Sequence, residues 1–214
     1  DTLAAFFKML SKWPEEKKPL PARAGAPVQQ ELKVPAGAEF YRLSKDPNAY
    51  SRIIGLFEPK RRMQEAIEMM LNTETGQKMK EYGLKPPKGI ILYGPPGTGK
   101  TSFARATAQI FGLPFIVVNA SSVTGNLVGA TEQNIRNVFR FARSVAPCVI
   151  FWDEIDVVAK KREGGDFNTP SQLALNVLLA ELDGFNPLNG VIFIAATNRL
   201  DILDPAILRP GRLD

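Results

Sequence analysis

The sequence contains no histidine among its 214 residues, and this absence excludes several kinds of catalytic site. Without an imidazole, the chain has no histidine general base, no Ser-His-Asp triad and no histidine-ligated zinc ion. The His-Glu-x-x-His motif of zinc proteases is absent for the same reason, so these residues carry no proteolytic centre of that type.

Cysteine is almost as scarce in this sequence. Cys148 is the only one, which excludes an internal disulfide bond and favours a reducing, cytoplasmic compartment. It begins an apolar run, so we expect a buried side chain rather than a nucleophile. No run of about 18 apolar residues is present, which argues against a transmembrane helix, and the first residues show no signal-peptide pattern.

The net charge of +5 belongs to the N-terminal part of the chain. Residues 1–62 hold 12 Lys/Arg and 7 Asp/Glu, whereas residues 63–214 hold 15 of each. The basic residues are scattered among prolines, which favours a solvated linker over contact with nucleic acid or a membrane. Residues 2–13 have the spacing of a short amphipathic helix, which we expect to dock on protein. We therefore divide the chain into an N-terminal helix and Pro-rich linker, residues 1–50, and a core domain, residues 51–214.

The core domain alternates apolar runs with amphipathic stretches. Apolar runs predict buried strands at residues 89–93, 115–119, 149–152 and 191–196. Helical periodicity predicts helices at residues 59–71, 76–82, 102–111, 133–143 and 170–182. This alternation is typical of an α/β fold, a parallel sheet with helices on both faces. Ligands of such sheets bind at the carboxyl ends of the strands.

A glycine-rich stretch follows the first of these strands and leads into a helix. It reads Gly94-Pro95-Pro96-Gly97-Thr98-Gly99-Lys100-Thr101 and fits the P-loop pattern. The glycines let backbone N–H groups and the start of the helix, including Ser102, surround a phosphate group. We expect Lys100 to reach the outer phosphates and the Thr101 hydroxyl to bind Mg²⁺.

Acidic residues follow the strand at 149–152. Asp153 is suited to holding the magnesium ion, and Glu154 to orienting and activating the attacking water. Two adjacent acids at the end of an apolar strand would be costly without a metal ion. We expect Asp156 to be only a local cap or a solvated residue.

Two further polar groups follow the last predicted strand. Asn198 can hydrogen-bond the attacking water or the γ-phosphate, although asparagine also commonly ends a strand. Arg209 and Arg212 lie in one predicted turn and are either surface charges or arginine fingers, which neutralise charge on a transferred phosphoryl group. If they act on a neighbour's nucleotide, the enzyme must be an oligomer.

Four stretches taken together resemble the AAA subfamily of the AAA+ P-loop ATPases. They are residues 94–101, Asp153-Glu154-Ile155-Asp156, Ala195-Ala196-Thr197-Asn198-Arg199 and Asp204-Pro205-Ala206-Ile207-Leu208-Arg209-Pro210-Gly211-Arg212. The resemblance covers residues 53–214. It implies a Mg²⁺-dependent ATPase with the AAA+ large-subdomain fold, working as a homo-oligomeric ring, usually a hexamer, that remodels or unfolds proteins.

The resemblance also implies roles for single residues. Ile54 and Gly55 would flank the adenine, and Asn198 would be the residue called sensor 1. Arg209 and Arg212 would reach into the adjacent subunit's site. A protein substrate would be threaded past Leu127-Val128-Gly129, where the family usually has an aromatic residue in place of Leu127.

The family has one more strand and a helical lid after the position of Arg212, and this sequence contains neither. We therefore expect a fragment with the P-loop strand at an exposed edge of the sheet, and weak ATP binding. Two alternative functions stay open. One is a nucleotide-gated assembly module, and the other is a P-loop ATPase acting on nucleic acid, against which the uncharged balance of the core argues.

Overall fold

The computed structural model describes residues 33–71, 73–84, 87–124, 129–161, 170–183, 190–209 and 212–213. The strands are β1 (Ala38–Tyr41), β2 (Gly89–Tyr93), β3 (Phe115–Asn119), β4 (Cys148–Asp153) and β5 (Val191–Thr197). The α-helices are α1 (Phe57–Met70), α2 (Glu74–Glu81), α3 (Lys100–Phe111), α4 (Ala120–Val123), α5 (Ala130–Ser144) and α6 (Pro170–Asp183). Short 3-10 helices lie at Ala49–Arg52, Ile155–Val157 and Leu200–Ile202.

The five strands form one sheet in the order β1-β3-β4-β5-β2. Strands β2, β3, β4 and β5 are parallel, which confirms the predicted α/β fold class. Strand β1 is antiparallel to β3, with Ala38 opposite Val118. Edge strand β1 lies within residues 1–50, which the sequence assigns to the N-terminal helix and linker. The structural unit that contains it is Lys33–Asp214. The Phe40 ring anchors β1 through an edge-on contact of 5.3 Å with Phe141.

Two apolar layers cover the faces of the sheet. Helices α5 and α6 pack on one face, and α1 and α3 contribute to the layer on the other. Every residue of β5 is buried, as expected for a central strand covered on both sides. On the α5 face, Trp152 lies 6.3 Å from the ring of Phe139 and 6.1 Å from that of Phe193. Burial of such rings stabilises the sheet by about 1.5–3 kcal/mol each.

The strand predictions are close to the observed bounds. Four of the five predicted helices begin two or three residues earlier than predicted, and α6 begins at Pro170, as predicted. Helix α3 begins at Lys100 rather than at residue 102, and α5 at Ala130 rather than at residue 133. In both cases a glycine with left-handed backbone, Gly99 or Gly129, precedes the helix. The first helical turn carries no apolar stripe, so periodicity alone misses it. The predicted helix at residues 2–13 lies outside the described residues.

Strand β2, which leads into the P-loop, is at an edge of the sheet, as expected. Its first residue, Gly89, forms an isolated parallel bridge with Leu213. Leu213 is buried, so this bridge covers the start of β2. In the described part of the chain, no helix is both long enough and apolar enough to cross a lipid bilayer.

Candidate active site

The P-loop is an open turn between β2 and α3. Gly97 has φ 77° and Gly99 has φ 84°, a left-handed backbone that other residues adopt only with strain. A Cβ built on either glycine meets no atom within 4 Å, so both glycines border open space. The Thr98 hydroxyl donates to the Pro95 carbonyl at 2.9 Å and closes the turn. The loop is therefore shaped to receive a phosphate at the N-terminus of α3.

The Lys100 ammonium connects the P-loop to the end of β5. It donates to the carbonyls of Gly94 at 2.8 Å and Pro95 at 3.0 Å, and to Oδ1 of Asn198 at 2.7 Å. All three acceptors are uncharged, so the positive charge is not neutralised by these contacts. A phosphate group would meet a cation here whose charge is not neutralised, and it would displace one of these acceptors, because an ammonium has only three N–H donors.

Thr101 and Asp153 form the predicted magnesium pair. The Thr101 hydroxyl donates to Oδ2 of Asp153 across 3.4 Å, a distance that leaves little bonding between them. Mg²⁺ is commonly held by one or two protein groups together with water and substrate phosphates. No group of three acidic or cysteine ligands occurs among the described residues. A hydroxyl and one carboxylate beside a P-loop fit Mg²⁺ that arrives with a nucleotide.

Glu154 has an unusual backbone for a residue other than glycine. Its φ and ψ are 52° and 45°, in the left-handed region. Its backbone N–H donates to Oδ1 of Asp153 at 3.0 Å, and its side chain is exposed. Such strain costs of order 1–3 kcal/mol and is found where a site needs a particular side-chain direction. The end of β4 thus combines two adjacent carboxylates with a strained backbone at the second of them.

Asp156 has a larger role than the sequence predicts. Its Oδ1 accepts a 2.6 Å hydrogen bond from the hydroxyl of Thr197, the buried last residue of β5. The same hydroxyl accepts the backbone N–H of Arg199 at 2.9 Å. Asp156 is therefore neither a local cap nor a solvated residue. The sequence gives no sign of the contact because its two partners are 41 positions apart.

The predicted adenine segment lies between the 3-10 helix at Ala49–Arg52 and α1. Ile54 is 97% exposed and Phe57 is 84% exposed, which leaves two large apolar side chains in solvent. Gly55 has φ 71° and makes the bend between them. Exposed apolar side chains of this size are typical of a surface that receives a ligand or partner.

A lysine ties this segment to the P-loop helix. The Lys60 ammonium donates to the Ile53 carbonyl at 2.5 Å and lies 5.8 Å from the ring centres of both Tyr50 and Phe57. Tyr50 stacks on Phe103 of α3 at 5.5 Å. Lys60 and Tyr50 were not found from the sequence, because an isolated lysine and tyrosine form no recognisable motif.

The two candidate arginine fingers differ in their surroundings. Arg212 grips Asp183, at the end of α6, with Nε at 2.7 Å from Oδ1 and Nη2 at 2.6 Å from Oδ2. These hydrogen bonds, followed by the charge of Arg212, hold the pKa of Asp183 below its usual value. Arg209 is exposed, and within the described ranges its side chain has no hydrogen bond or ion pair. Arg209 therefore has no side-chain partner within the described ranges, and the action of either arginine on a neighbouring subunit stays a prediction.

The remaining predicted site residues occupy simpler positions. Ser102 is exposed in the first turn of α3, and Pro96 lies at the tip of the P-loop. Gly129 precedes α5, whereas Leu127 and Val128 lie outside the described residues.

A cavity of about 660 Å³ lies between α5 and α6, away from the P-loop. Arg136, Arg140 and Glu181 are among its lining residues, and none of the lining side chains belongs to the predicted site.

Comparison with known proteins connects this geometry to a family. The profile of the family described as "ATPase family associated with various cellular activities (AAA)" matches residues 90–214. The proteasome-activating nucleotidase of Sulfurisphaera tokodaii is 48% identical over 177 residues, covering 81% of this chain and 45% of that protein. The protein of the same name from Saccharolobus islandicus is 48% identical over 171 residues, with coverages of 78% and 43%. Protein SAV of Sulfolobus acidocaldarius is 48% identical over 165 residues, with coverages of 77% and 21%. The chain spans less than half the length of these relatives.

Proposed function

Because the chain belongs to the AAA family of ATPases, we propose that it hydrolyses ATP within a homo-oligomeric ring and uses the energy to remodel or unfold proteins. The observation that carries the proposal is the meeting of three strand ends. The P-loop after β2, the acids at the end of β4 and Asn198 after β5 lie together, joined through Lys100 and through Thr101.

Each group at these strand ends has a distinct task. The P-loop amides and Lys100 bind the phosphates of ATP and orient the γ-phosphate. Thr101 and Asp153 hold Mg²⁺, which when bound supplies positive charge to the phosphate oxygens. Glu154 accepts a proton from the attacking water and aligns it with the phosphorus, while Asn198 fixes the position of water or phosphate from the other side. Ile54 and Gly55 contact the adenine.

The proposal of an oligomeric ring is supported by the surroundings of Arg209. Within its own chain Arg209 has no acidic partner in the described residues, and it follows the turn that Asp204 begins. A guanidinium placed against a neighbour's γ-phosphate stabilises charge in the transition state. We therefore assign the finger to Arg209, with Arg212 as a second candidate. The family resemblance supports a hexamer as the ring.

The substrate proposal rests on similarity. Two relatives are named for activating a proteasome, which supports proteins as the material acted upon. A substrate chain would pass Leu127-Val128-Gly129. The proposal includes neither nucleic acid nor a membrane. It places the protein in a reducing, cytoplasmic compartment, because the only cysteine in the sequence is a buried, free thiol.

The test mixes two inactive variants. Glu154→Gln keeps Arg209 but lacks the base, and Arg209→Ala keeps the base but lacks the finger. If Arg209 acts across a subunit boundary, an Arg209→Ala site beside a Glu154→Gln neighbour is complete. Mixing the two full chains should then restore ATP turnover that neither gives alone. Arg62→Ala, an exposed arginine of α1 paired with Glu58, is the matched control and should remain active.

Two outcomes would contradict the proposal. No recovery on mixing, with both variants still binding ATP, would show that the finger does not act in trans. Full turnover by Glu154→Gln would show that this carboxylate is not the base. An intact assembly function in the Glu154→Gln chain would favour the nucleotide-gated assembly module instead.

A further inference from the structure

Thr197 is the point at which the separate parts of the site meet. Its carbonyl accepts the backbone N–H of Gly94, the first P-loop residue, at 3.3 Å. Its hydroxyl donates to Asp156 at 2.6 Å and accepts the N–H of Arg199 at 2.9 Å. The next residue, Asn198, accepts the hydrogen bond from Lys100. One buried threonine therefore contacts the P-loop, Asp156 after β4, and Arg199, the residue that follows Asn198.

Asp156 links this threonine to the catalytic base. It lies two residues after Glu154, in the 3-10 helix Ile155–Val157, and the Val157 N–H donates to the Glu154 carbonyl at 3.0 Å. A single short turn thus separates the anchored Asp156 from the strained backbone of Glu154. A left-handed backbone at a residue other than glycine persists only where its surroundings hold it. The bond to Thr197 is a tertiary contact that can do so.

We propose that Asp156 and Thr197 are positioning residues, which fix Glu154 and Asn198 relative to each other across the γ-phosphate site. Neither side chain touches substrate. The hydrogen bond between the Thr197 hydroxyl and the Arg199 N–H fixes the backbone around Asn198. The bond from the same hydroxyl to Asp156 fixes the distance between the segment after β5 and the segment after β4. The inference rests on the proposed function and adds to it the groups that align base and sensor.

The alternative is a purely structural hydroxyl, which satisfies buried groups and affects stability alone. The two cases differ in what they do to turnover. A positioning role lowers kcat with little change in the KM for ATP, because the P-loop still binds phosphate. A small misplacement of catalytic groups is enough for a large loss of rate.

The experiment uses four variants of the full chain. Thr197→Ser keeps the hydroxyl, and Thr197→Val replaces threonine with a side chain of the same shape that has none. Asp156→Asn keeps the Oδ1 acceptor, and Asp156→Ala removes it. Each is measured for kcat, for KM and for melting temperature.

We expect Thr197→Val and Asp156→Ala to lose roughly 10- to 100-fold in kcat with KM changed by less than about threefold. The kcat of Thr197→Ser and of Asp156→Asn should stay within roughly fivefold of that of the unchanged chain. These two variants separate the loss of a hydrogen-bonding group from a change in side-chain shape. The combined Thr197→Val and Asp156→Ala chain should lose no more than the worse single variant, because both act through one bond. Equal kcat in Thr197→Val and Thr197→Ser, or losses that add, would overturn the inference.

A second readout does not need turnover. Amide hydrogen exchange at Arg199 reports the bond to the Thr197 hydroxyl directly. Exchange should be slow in the unchanged chain and in Thr197→Ser, and at least about tenfold faster in Thr197→Val and Asp156→Ala. An unchanged chain that binds ATP without hydrolysing it would contradict the proposed function alone. Equal Arg199 exchange in all four variants would overturn the inference alone.

Discussion

Arg212 and Asp183 form an ion pair with two parallel hydrogen bonds, 2.6 and 2.7 Å long, which connects Arg212 to the end of α6. The two residues are 29 positions apart in the sequence. The Lys88 ammonium, at the start of the P-loop strand, lies 3.4 Å from the Asp183 carbonyl. The pair therefore holds Arg212 close to Lys88, the residue before β2 at the edge of the sheet.

Because of this ion pair, the free energy of unfolding should decrease at low pH. The pKa of Asp183 lies below the ordinary value of 3.8, first because of hydrogen bonds from Arg212. A lowered folded-state pKa gives a stabilisation that is complete above 3.8 and is lost as pH falls through the lowered value. The melting-temperature gap between the unchanged chain and Asp183→Asn should be constant near neutral pH and shrink below about pH 4.

The size of this gap is limited because the Asp183 side chain is 44% exposed. We expect about 1 kcal/mol or less near neutral pH. Glu74→Gln, in the exposed pair with Lys78, serves as the control and should show no comparable acid-sensitive gap. A gap that widens at low pH would contradict the assignment.

The contact between Lys100 and Asn198 predicts a difference between two substitutions. Asn198→Asp would place a carboxylate within 2.7 Å of the ammonium that should hold phosphate. ATP binding by Asn198→Asp should weaken roughly tenfold or more, because the new charge competes with phosphate. Asn198→Ala should lower turnover and leave the ATP dissociation constant within a few-fold. Titration calorimetry measures the ATP dissociation constants of the two variants, with Asn137→Asp on α5 as the control for an added charge.

The position of Lys60 predicts selectivity between ligands. Lys60→Met removes the bond to the Ile53 carbonyl and the contact with the Phe57 ring, so the adenine segment should lose its fixed shape. Affinity for ATP should fall several-fold, whereas affinity for inorganic tripolyphosphate, which has no base, should not change. Equal losses for both ligands would mean that Lys60 acts on the phosphate site instead.

Tyr50 predicts an effect at alkaline pH. Burial, the largest cause, raises the pKa of Tyr50 to about 12, and its hydroxyl lies 2.7 Å from that of Thr107. A raised folded-state pKa stabilises the fold below the unfolded value of 10, and this stabilisation is lost as pH rises towards 12. Tyr50→Phe should cost about 1 kcal/mol at neutral pH and remove a late-titrating phenol from the ultraviolet absorbance curve. Tyr82→Phe, at an exposed tyrosine, should leave stability unchanged.

Cys148 should resist thiol reagents in the folded chain. Burial raises its pKa to about 12, and its Sγ donates to the Ala142 carbonyl at 3.3 Å. Since the thiolate is the reactive form, alkylation by iodoacetamide near neutral pH should be slow until denaturant is added. Fast labelling of the native chain would mean that β4 opens more readily than its burial indicates. The buried position confirms the expectation from the apolar run around this residue.

The parts of the site that lie within one short stretch of sequence were predictable. The P-loop and the acids of β4 are each a strand followed directly by functional residues, so local pattern places them on the right elements. Strand β1 was not predictable, because four residues are too few to establish a period of two.

Contacts between distant stretches were equally hidden from the sequence. The bonds of Asp156 with Thr197 and of Arg212 with Asp183 depend on which strands and helices become neighbours. Each of these residues has several ordinary roles, as a cap, a turn residue or a surface charge. The strand order, with β5 beside β4, brings Thr197 to Asp156, and the packing of the end of α6 brings Asp183 to Arg212.

The aromatic stack beneath the site gives the protein an optical reporter. Trp152 immediately precedes Asp153 and is fully buried against Phe139 and Phe193. An indole in such dry surroundings emits at short wavelength, and its emission moves to the red when water enters. With Trp13 changed to Phe, the fluorescence of this single indole would follow the end of β4 in real time, without a label.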